Sequence, residues 1–184
     1  MSSFYSDDEL QEIGFKSYGN KVLISKKASI YSPQNIRIGS NVRIDDFCIL
    51  SGNIEIGSNV HISAYSALFG GGKIIIEDYS GVSQRCTLIS ASDDFSGDYM
   101  VGAVIDDEFT NVTKGTIHLK KYVQLGAGTI VLPNVTINIG SVSGAMSLIN
   151  KDLDEWGIYY GIPARRMRER SKKLLEKVDE YEKK

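Results

Sequence analysis

Residues 88–97, LISASDDFSG, carry two adjacent carboxylates, Asp93 and Asp94, in a chain with few groups able to move a proton near neutral pH. The sequence holds only two histidines, His61 and His118, and histidine is the side chain that titrates there when unperturbed. Its two cysteines, Cys48 and Cys86, lack any CxxC or Cys/His spacing, so they read as small buried hydrophobes rather than as a zinc or redox pair. Carboxylate and imidazole chemistry is what remains. Such groups act only when something rigid positions them.

The chain has 184 residues, 24% charged and 42% apolar, which fits one globular domain with small terminal appendages. A formal net charge of −2 gives no general attraction to nucleic acid or to an acidic membrane surface. The start, MSSFYSDDELQEIGF, lacks a basic region followed by an apolar one, and no apolar run approaches the ~20 residues a bilayer span requires. A cytoplasmic protein with no membrane span is expected.

The positioning scaffold is written as a beat of six. Ile38, Ile44, Leu50, Ile56, Ile62 and Leu68 recur every six residues, and after a two-residue slip in FGGGK the beat resumes at Ile76, Val82 and Leu88. It returns at Leu119, Leu125, Val131, Ile137, Ser143 and Ile149; of these fifteen positions only Ser143 is not aliphatic. Small or β-branched residues follow four places later, among them Val42, Cys48, Val60, Ser66, Cys86, Thr129 and Ser147. Period six is foreign to an α-helix, but three hexads form an 18-residue coil with three flat sides. The coil openings NIRIGSNV, NIEIGSNV, KIIIEDYS and TIHLKKYV repeat the pattern. Leu119 lies 31 residues after Leu88, 25 more than the beat allows. The surplus is expected as an extruded loop over about 90–116, and insertions in solenoids mark the functional face.

On these repeats the chain resembles the hexapeptide-repeat acyltransferase family. The resemblance implies an all-β fold, a left-handed parallel β-helix over about 20–163. Its handedness comes from the family, since parallel crossovers are otherwise right-handed. In such a coil Cys48 and Cys86 share a column with Ser66 between them, too far apart for a disulfide. A helical cap is expected over 1–19, with Ser6 as N-cap, Glu9 at the third position and Gly14 as the stop. A C-terminal helix is expected over 164–184, with Pro163 at its start and Met167, Leu174, Val178 and Tyr181 as its apolar stripe. Its four arginines between 165 and 170 are diluted by Glu169, Glu176, Asp179 and Glu180, so nucleic-acid binding is not expected.

The same resemblance assigns roles. Sugar acetyltransferases of the family end the hexad begun at Leu88 in a catalytic histidine; this sequence has Asp93 there. Asp93, Asp94 and His61 are the catalytic candidates, and Ser63, His118, Phe109, Asn111 and Thr113 the acceptor-binding ones. The acetyl-CoA groove is expected along Ser83, Gly126, Ala127, Ala145, Asn150 and Lys151. GIPAR at 161–165 matches the family's ending, with Arg165 on the nucleotide phosphates of CoA. The family's zinc branch uses three histidine ligands, which two histidines cannot supply, so no metal is expected.

RIDDFCILSG, SASDDFSGDY, EFTNVTKG and EWGIYYGIPAR most resemble the branch that acetylates the 4-amino group of a dTDP-linked amino-deoxysugar for surface polysaccharide (O-antigen) synthesis. The departure at Asp93 fits that branch. A sugar hydroxyl, with a pKa near that of water at ~15.7, needs a base such as histidine. Aspartate, at ~3.9, is a poor base. An amine near ~8 is partly neutral and nucleophilic already; it needs a carboxylate to orient its N–H bonds and to route the proton released. O-acetylation of a sugar hydroxyl is the alternative. A non-enzymatic ice-binding β-helix is a weaker one, because the outward slots Arg43, His61, Gly81 and Gln124 form no threonine array. The family also implies a homotrimer with sites shared between neighbours.

Overall fold

A computed structural model describes residues 3–183. The outermost ends of the expected cap and terminal helix, residues 1, 2 and 184, lie outside the described residues. The chain winds into a parallel β-solenoid with three strand faces. On the first face seven strands pair in parallel: Val22–Ile24, Val42–Ile44, Val60–Ile62, Gly81–Val82, Gln124–Leu125, Val142–Ser143 and Gly157–Tyr160. The second face carries Ser29–Tyr31, Thr87–Ile89, Ile130–Val131 and Leu148–Ile149. The third carries Ser17–Tyr18, Ile36–Ile38, Thr116–Leu119 and Val135–Ile137. Two long strands, Ile49–Ile56 and Ala67–Ile76, bend from the second face into the third. Sheet pairing begins at Ser17, ahead of the expected boundary at residue 20.

Registry follows from the beat. Ile24, Ile44, Ile62, Val82 and Leu125 stand opposite one another on the first face, and Leu50, Leu68, Leu88, Val131 and Ile149 on the second. All are buried. Coils stacked ~4.8 Å apart bring like side chains into contact and fill the core at crystal-like density.

The column of small residues has its own cause. Between the first and second faces the chain turns through left-handed residues, Phe47, Tyr65, Arg85 and Met146, and the turn aims carbonyls inward. Ser66 donates to the Ser83 carbonyl at 2.9 Å, Thr129 to that of Gly126 at 2.7 Å and Ser147 to that of Gly144 at 2.9 Å. Cys48 and Cys86 do the same with weak S–H groups, to Ser63 and Gly126, each at 3.2 Å. Both cysteines are free. The left-handed residues are strained when not glycine, but equal positions in successive coils stack. Phe47 lies 4.9 Å from Tyr65, and at the next corner Tyr79 lies 5.7 Å from Tyr122.

Helix α1, Asp7–Ile13, has the expected capping box between Ser6 and Glu9 and stops at Gly14 in a left-handed conformation. It sinks Leu10 into the core. The C-terminal expectation needs correction. Residues 165–169 form a strand, Arg165–Glu169, antiparallel to Gly157–Tyr160. The last coil would otherwise expose a row of unpaired backbone groups, and a returning strand covers that edge. Met167 is therefore exposed rather than part of an apolar helical stripe. Helix α2 spans only Leu174–Glu182 and brings Leu174, Val178 and Tyr181 to the corner of Tyr79 and Tyr122.

Burial raises the Cys48 thiol and pushes Cys86 up to about 11. Thiolate is the reactive form. The native protein at pH 8 should therefore resist iodoacetamide while the denatured chain takes two labels, as mass spectrometry would show. Rapid native labelling would contradict the burial of this column.

Candidate active site

The loop leaves the solenoid through a tight neck. Ser90 is buried, donates to the Phe69 carbonyl at 2.8 Å, and accepts the Gly115 N–H on its own carbonyl at 2.8 Å. Ala91–Ser92 then pairs antiparallel with Thr113–Lys114, setting Ser92 opposite Thr113. This ribbon carries the chain out of the prism to Asp93 and Asp94.

The two carboxylates have different surroundings. Asp94 accepts the Ser96 N–H at 2.8 Å and the Asn111 amide at 2.8 Å. Those bonds, Ser96 first, hold its pKa below the ordinary carboxylate range. Asp94 pins the two limbs of the loop together. Asp93 is half-buried, and its carboxylate has no hydrogen bond or ion pair among the described residues. The structure thus gathers Asp93, Asp94, Asn111 and Thr113 at the loop base. Phe109 stands farther out, exposed on the turn Asp107–Phe109, where its carbonyl accepts the Met100 N–H.

A second assembly lies along the edge between the first and second faces. Coil pairing stacks Asp45, Ser63, Ser83, Gly126 and Gly144 in one column. Ala127 and Ala145 stack beside it, joined by the Met146 N–H to the Ala127 carbonyl at 2.8 Å. The floor here is nearly bare backbone. A Cβ on Gly126 would fall 2.5 Å from the Gly144 carbonyl carbon, so only glycine permits that approach of one coil to the next. Lys151 and Arg165 share a hollow of about 280 Å³ at the C-terminal end with Asp152, Asp154 and Arg166. Arg166 is engaged by Glu169 and Asp154, while Arg165 has no ion pair among the described residues. Asn150 is exposed, one residue before Lys151.

The histidines lie on two separate faces of the prism. His61 lies on the first face, its Nε2 2.7 Å from an Asp45 oxygen, and the other oxygen accepts Arg43 Nε at 2.7 Å. Partial burial raises the Asp45 pKa, but bonds to Arg43 and His61 leave it below its usual value. His118 lies on the third face with Nε2 2.7 Å from Glu77. Asp93 leaves between the second and third faces, so one chain does not bring His61 to it. Asp45 was missed by sequence reasoning. The signal was present: strand alternation puts Arg43 and Asp45 on one side, and the 18-residue coil puts His61 beside Arg43. Among the described residues no group of three or more His, Cys, Asp or Glu is arranged to hold a metal ion.

A free carboxylate at the loop base and, on a separate edge of the prism, a backbone-floored groove are elements suited to transfer chemistry between two bound substrates. Residues 35–70 match the bacterial transferase hexapeptide (six repeats) family. The chain is 45% identical over 177 residues to dTDP-4-amino-4,6-dideoxy-D-glucose acyltransferase of Escherichia coli, covering 95% of this chain and 92% of that one. It is also similar to the N-acyltransferase AntD from Bacillus cereus, solved with dTDP and 3-hydroxybutyryl-CoA: 50% identity, TM-score 0.97, 100% of this chain and 98% of that chain. A serine variant of AntD, solved with dTDP-4-amino-4,6-dideoxyglucose and coenzyme A, matches equally well, at 50% identity and TM-score 0.97 over 100% of this chain and 99% of that one. With this similarity running nearly end to end over the same solenoid and loop, the chain belongs to the hexapeptide-repeat acyltransferases, in the family of dTDP-4-amino-4,6-dideoxy-D-glucose acyltransferase.

Proposed function

We propose that the protein transfers an acetyl group from acetyl-CoA to the 4-amino group of a dTDP-linked 4-amino-4,6-dideoxyglucose. The observation that carries this reading is the unpaired Asp93 carboxylate at the loop base, in the slot where hydroxyl-acetylating relatives need a histidine. The AntD variants support it. A serine and, ten positions later, an aspartate are the residues replaced there; at a one-residue offset Ser83 and Asp93 keep that spacing.

In this reading the neutral amine attacks the thioester carbonyl carbon, forming the C–N bond and placing charge on the carbonyl oxygen. Collapse breaks the C–S bond and expels CoA as thiolate. The amine sheds one proton, and Asp93, having oriented the N–H, passes it outward to the thiolate or solvent. Asp94 holds the loop so that Asp93 points the same way in each turnover. Gly126, Ala127 and Ala145 let the pantetheine arm lie against backbone, and Lys151 and Arg165 meet its phosphates. Ser63 and Ser83 face the acceptor, and Phe109, Asn111 and Thr113 bound it on the loop side. His118, tied to Glu77, holds the coil to which the loop returns.

Sites of this kind are built between copies in a homotrimer. The second face presents a row of Ile49, Ala67, Thr87, Ile130 and Leu148 to the outside, and the loop adds Phe95 and Val104, 78% and 93% exposed. Apolar surface of this extent favours a partner. A neighbour's first face could then supply His61 to the Asp93 of this chain.

Three outcomes are expected. With the dTDP-amino sugar and acetyl-CoA, Asp93→Asn should lower kcat at least about 10²-fold, as for loss of a positioned proton acceptor, and His61→Asn less. Efficient turnover of a hydroxyl-only sugar that is abolished by His61→Asn would overturn N-acetylation. Arg165→Ala should raise KM for acetyl-CoA with little change in kcat, because a remote phosphate contact contributes mostly uniform binding. Light scattering on a sizing column should report three chains; a single-chain mass would sink the shared site.

A further inference from the structure

The transfer step places a negative charge on the thioester oxygen, a charge that Asp93 cannot meet and that calls for a hydrogen-bond donor. The backbone beside Ser83 offers one. Ser83 donates its N–H to the Leu125 carbonyl at 3.0 Å, the Gln84 carbonyl accepts the Gly128 N–H at 3.0 Å, and the Ser83 carbonyl accepts the Ser66 hydroxyl at 2.9 Å. The remaining backbone group of the pair, the Gln84 N–H, has no hydrogen-bond partner among the described residues. Its direction is fixed all the same. The carbonyl and N–H of a planar trans peptide point opposite ways, so a Ser83 carbonyl held inward by the buried Ser66 turns the Gln84 N–H outward, on an edge where Ser83 is half-buried and Gln84 exposed.

A hydroxyl beneath this edge is not demanded by the turn. At the corner between the third and first faces the chain likewise passes through left-handed residues, Asn41, Asn59 and Tyr122, and the buried residues that follow them, Val42, Val60 and Val123, complete the turn without a side-chain donor. Beneath the edge of Ser83 the corresponding column reads Cys48, Ser66, Cys86, Thr129 and Ser147, and each donates to a carbonyl. Ser66 also accepts the Cys86 N–H at 3.3 Å. One hydroxyl thus closes the Ser83–Cys86 turn from below at both ends.

We infer that Ser66 is a positioning residue for acyl transfer: it holds the Ser83 carbonyl inward so that the Gln84 N–H donates to the thioester oxygen as it becomes negative. The assignment rests on the reading above, in which the donor arm lies over Gly126 and Ala127 and the acceptor faces Ser83, so that the two meet beside Gln84. The N–H keeps its proton throughout; charge gathers on the oxygen as the C–N bond forms and leaves it as the C–S bond breaks. Steady-state kinetics with acetyl-CoA and the dTDP-amino sugar tests it. Ser66→Ala should lower kcat at least about tenfold with KM for acetyl-CoA unchanged, the pattern of an interaction made only in the transition state. Ser66→Thr should restore most of the loss, since Thr129 in the same column reaches the next coil's Gly144 carbonyl at 3.3 Å. Ser80, buried at the corner between the third and first faces, donates to the Lys120 carbonyl at 3.0 Å, so Ser80→Ala should lower Tm in the same way and leave kcat as it was. A kcat loss shared by Ser80→Ala would mark a structural effect only and overturn the assignment, as would an undiminished kcat in Ser66→Ala. If Ser66→Ala does not fold, Gln84→Pro removes the N–H directly and should show the same fall in kcat; full activity there would overturn the assignment. Failure of the wild type to acetylate the amino sugar would instead overturn the reading beneath it.

Discussion

Every functional feature of this molecule depends on the parallel pairing of one coil with the next. Backbone ladders about 4.8 Å apart fix the translation between coils, and inward aliphatic residues fix the rotation, since a slip of one residue would turn the buried set outward. Together they convert sequence period into spatial adjacency. Arg43 and His61, 18 residues apart, become neighbours, as do Gly126 and Gly144. Site residues inherit their positions from this stacking, which lets exposed side chains be held rigidly without a deep pocket.

That constraint also explains what the sequence disclosed. Inward positions must be aliphatic at fixed intervals, so the solenoid, the extruded loop over about 90–116 and the free cysteines could be read directly. The one polar interruption of the beat, Ser143, also has a local cause. It lies in the column with Leu125, accepts the Gly126 N–H at 3.2 Å and lies 2.9 Å from the Thr129 hydroxyl. Outward positions obey no such rule. Asp45 could be found only by combining strand alternation with the coil period, and the contrast between Asp93 and Asp94 depends on Asn111, which the loop returns from a distance. The C-terminal segment was misread because Arg165–Glu169 has helix-compatible residues after a proline. What decides its structure is an unpaired strand edge on Gly157–Tyr160, visible only once the last coil is placed.

The loop is the part of the molecule outside the coil-to-coil ladder, and it is tied by its own short ribbon and by side chains. A scaffold whose faces are fixed coil by coil offers little room for adjusting an acceptor site, whereas an insertion clamped at its ends can vary without disturbing the coils. Ser90, Gly115 and the Ala91–Ser92 ribbon fix the direction of departure. Asp94 and Asn111 then close the loop on itself. Asp93 is thereby left as the one carboxylate of the pair without an internal partner.

This division matters for the choice between amine and hydroxyl. A hydroxyl nucleophile requires a strong base aligned along the O–H bond in the same rigid frame, and the two histidines of the chain stand on the first and third faces rather than in the slot that Asp93 fills at the loop base. An amine makes a smaller demand. It brings its own lone pair and needs only an acceptor for an N–H hydrogen bond and a path for one proton, which a carboxylate on a clamped loop supplies at any pH above its own pKa. Replacing histidine by aspartate at the loop base is thus consistent with a change of nucleophile rather than a loss of function. The solenoid beneath need not change at all for that exchange to occur.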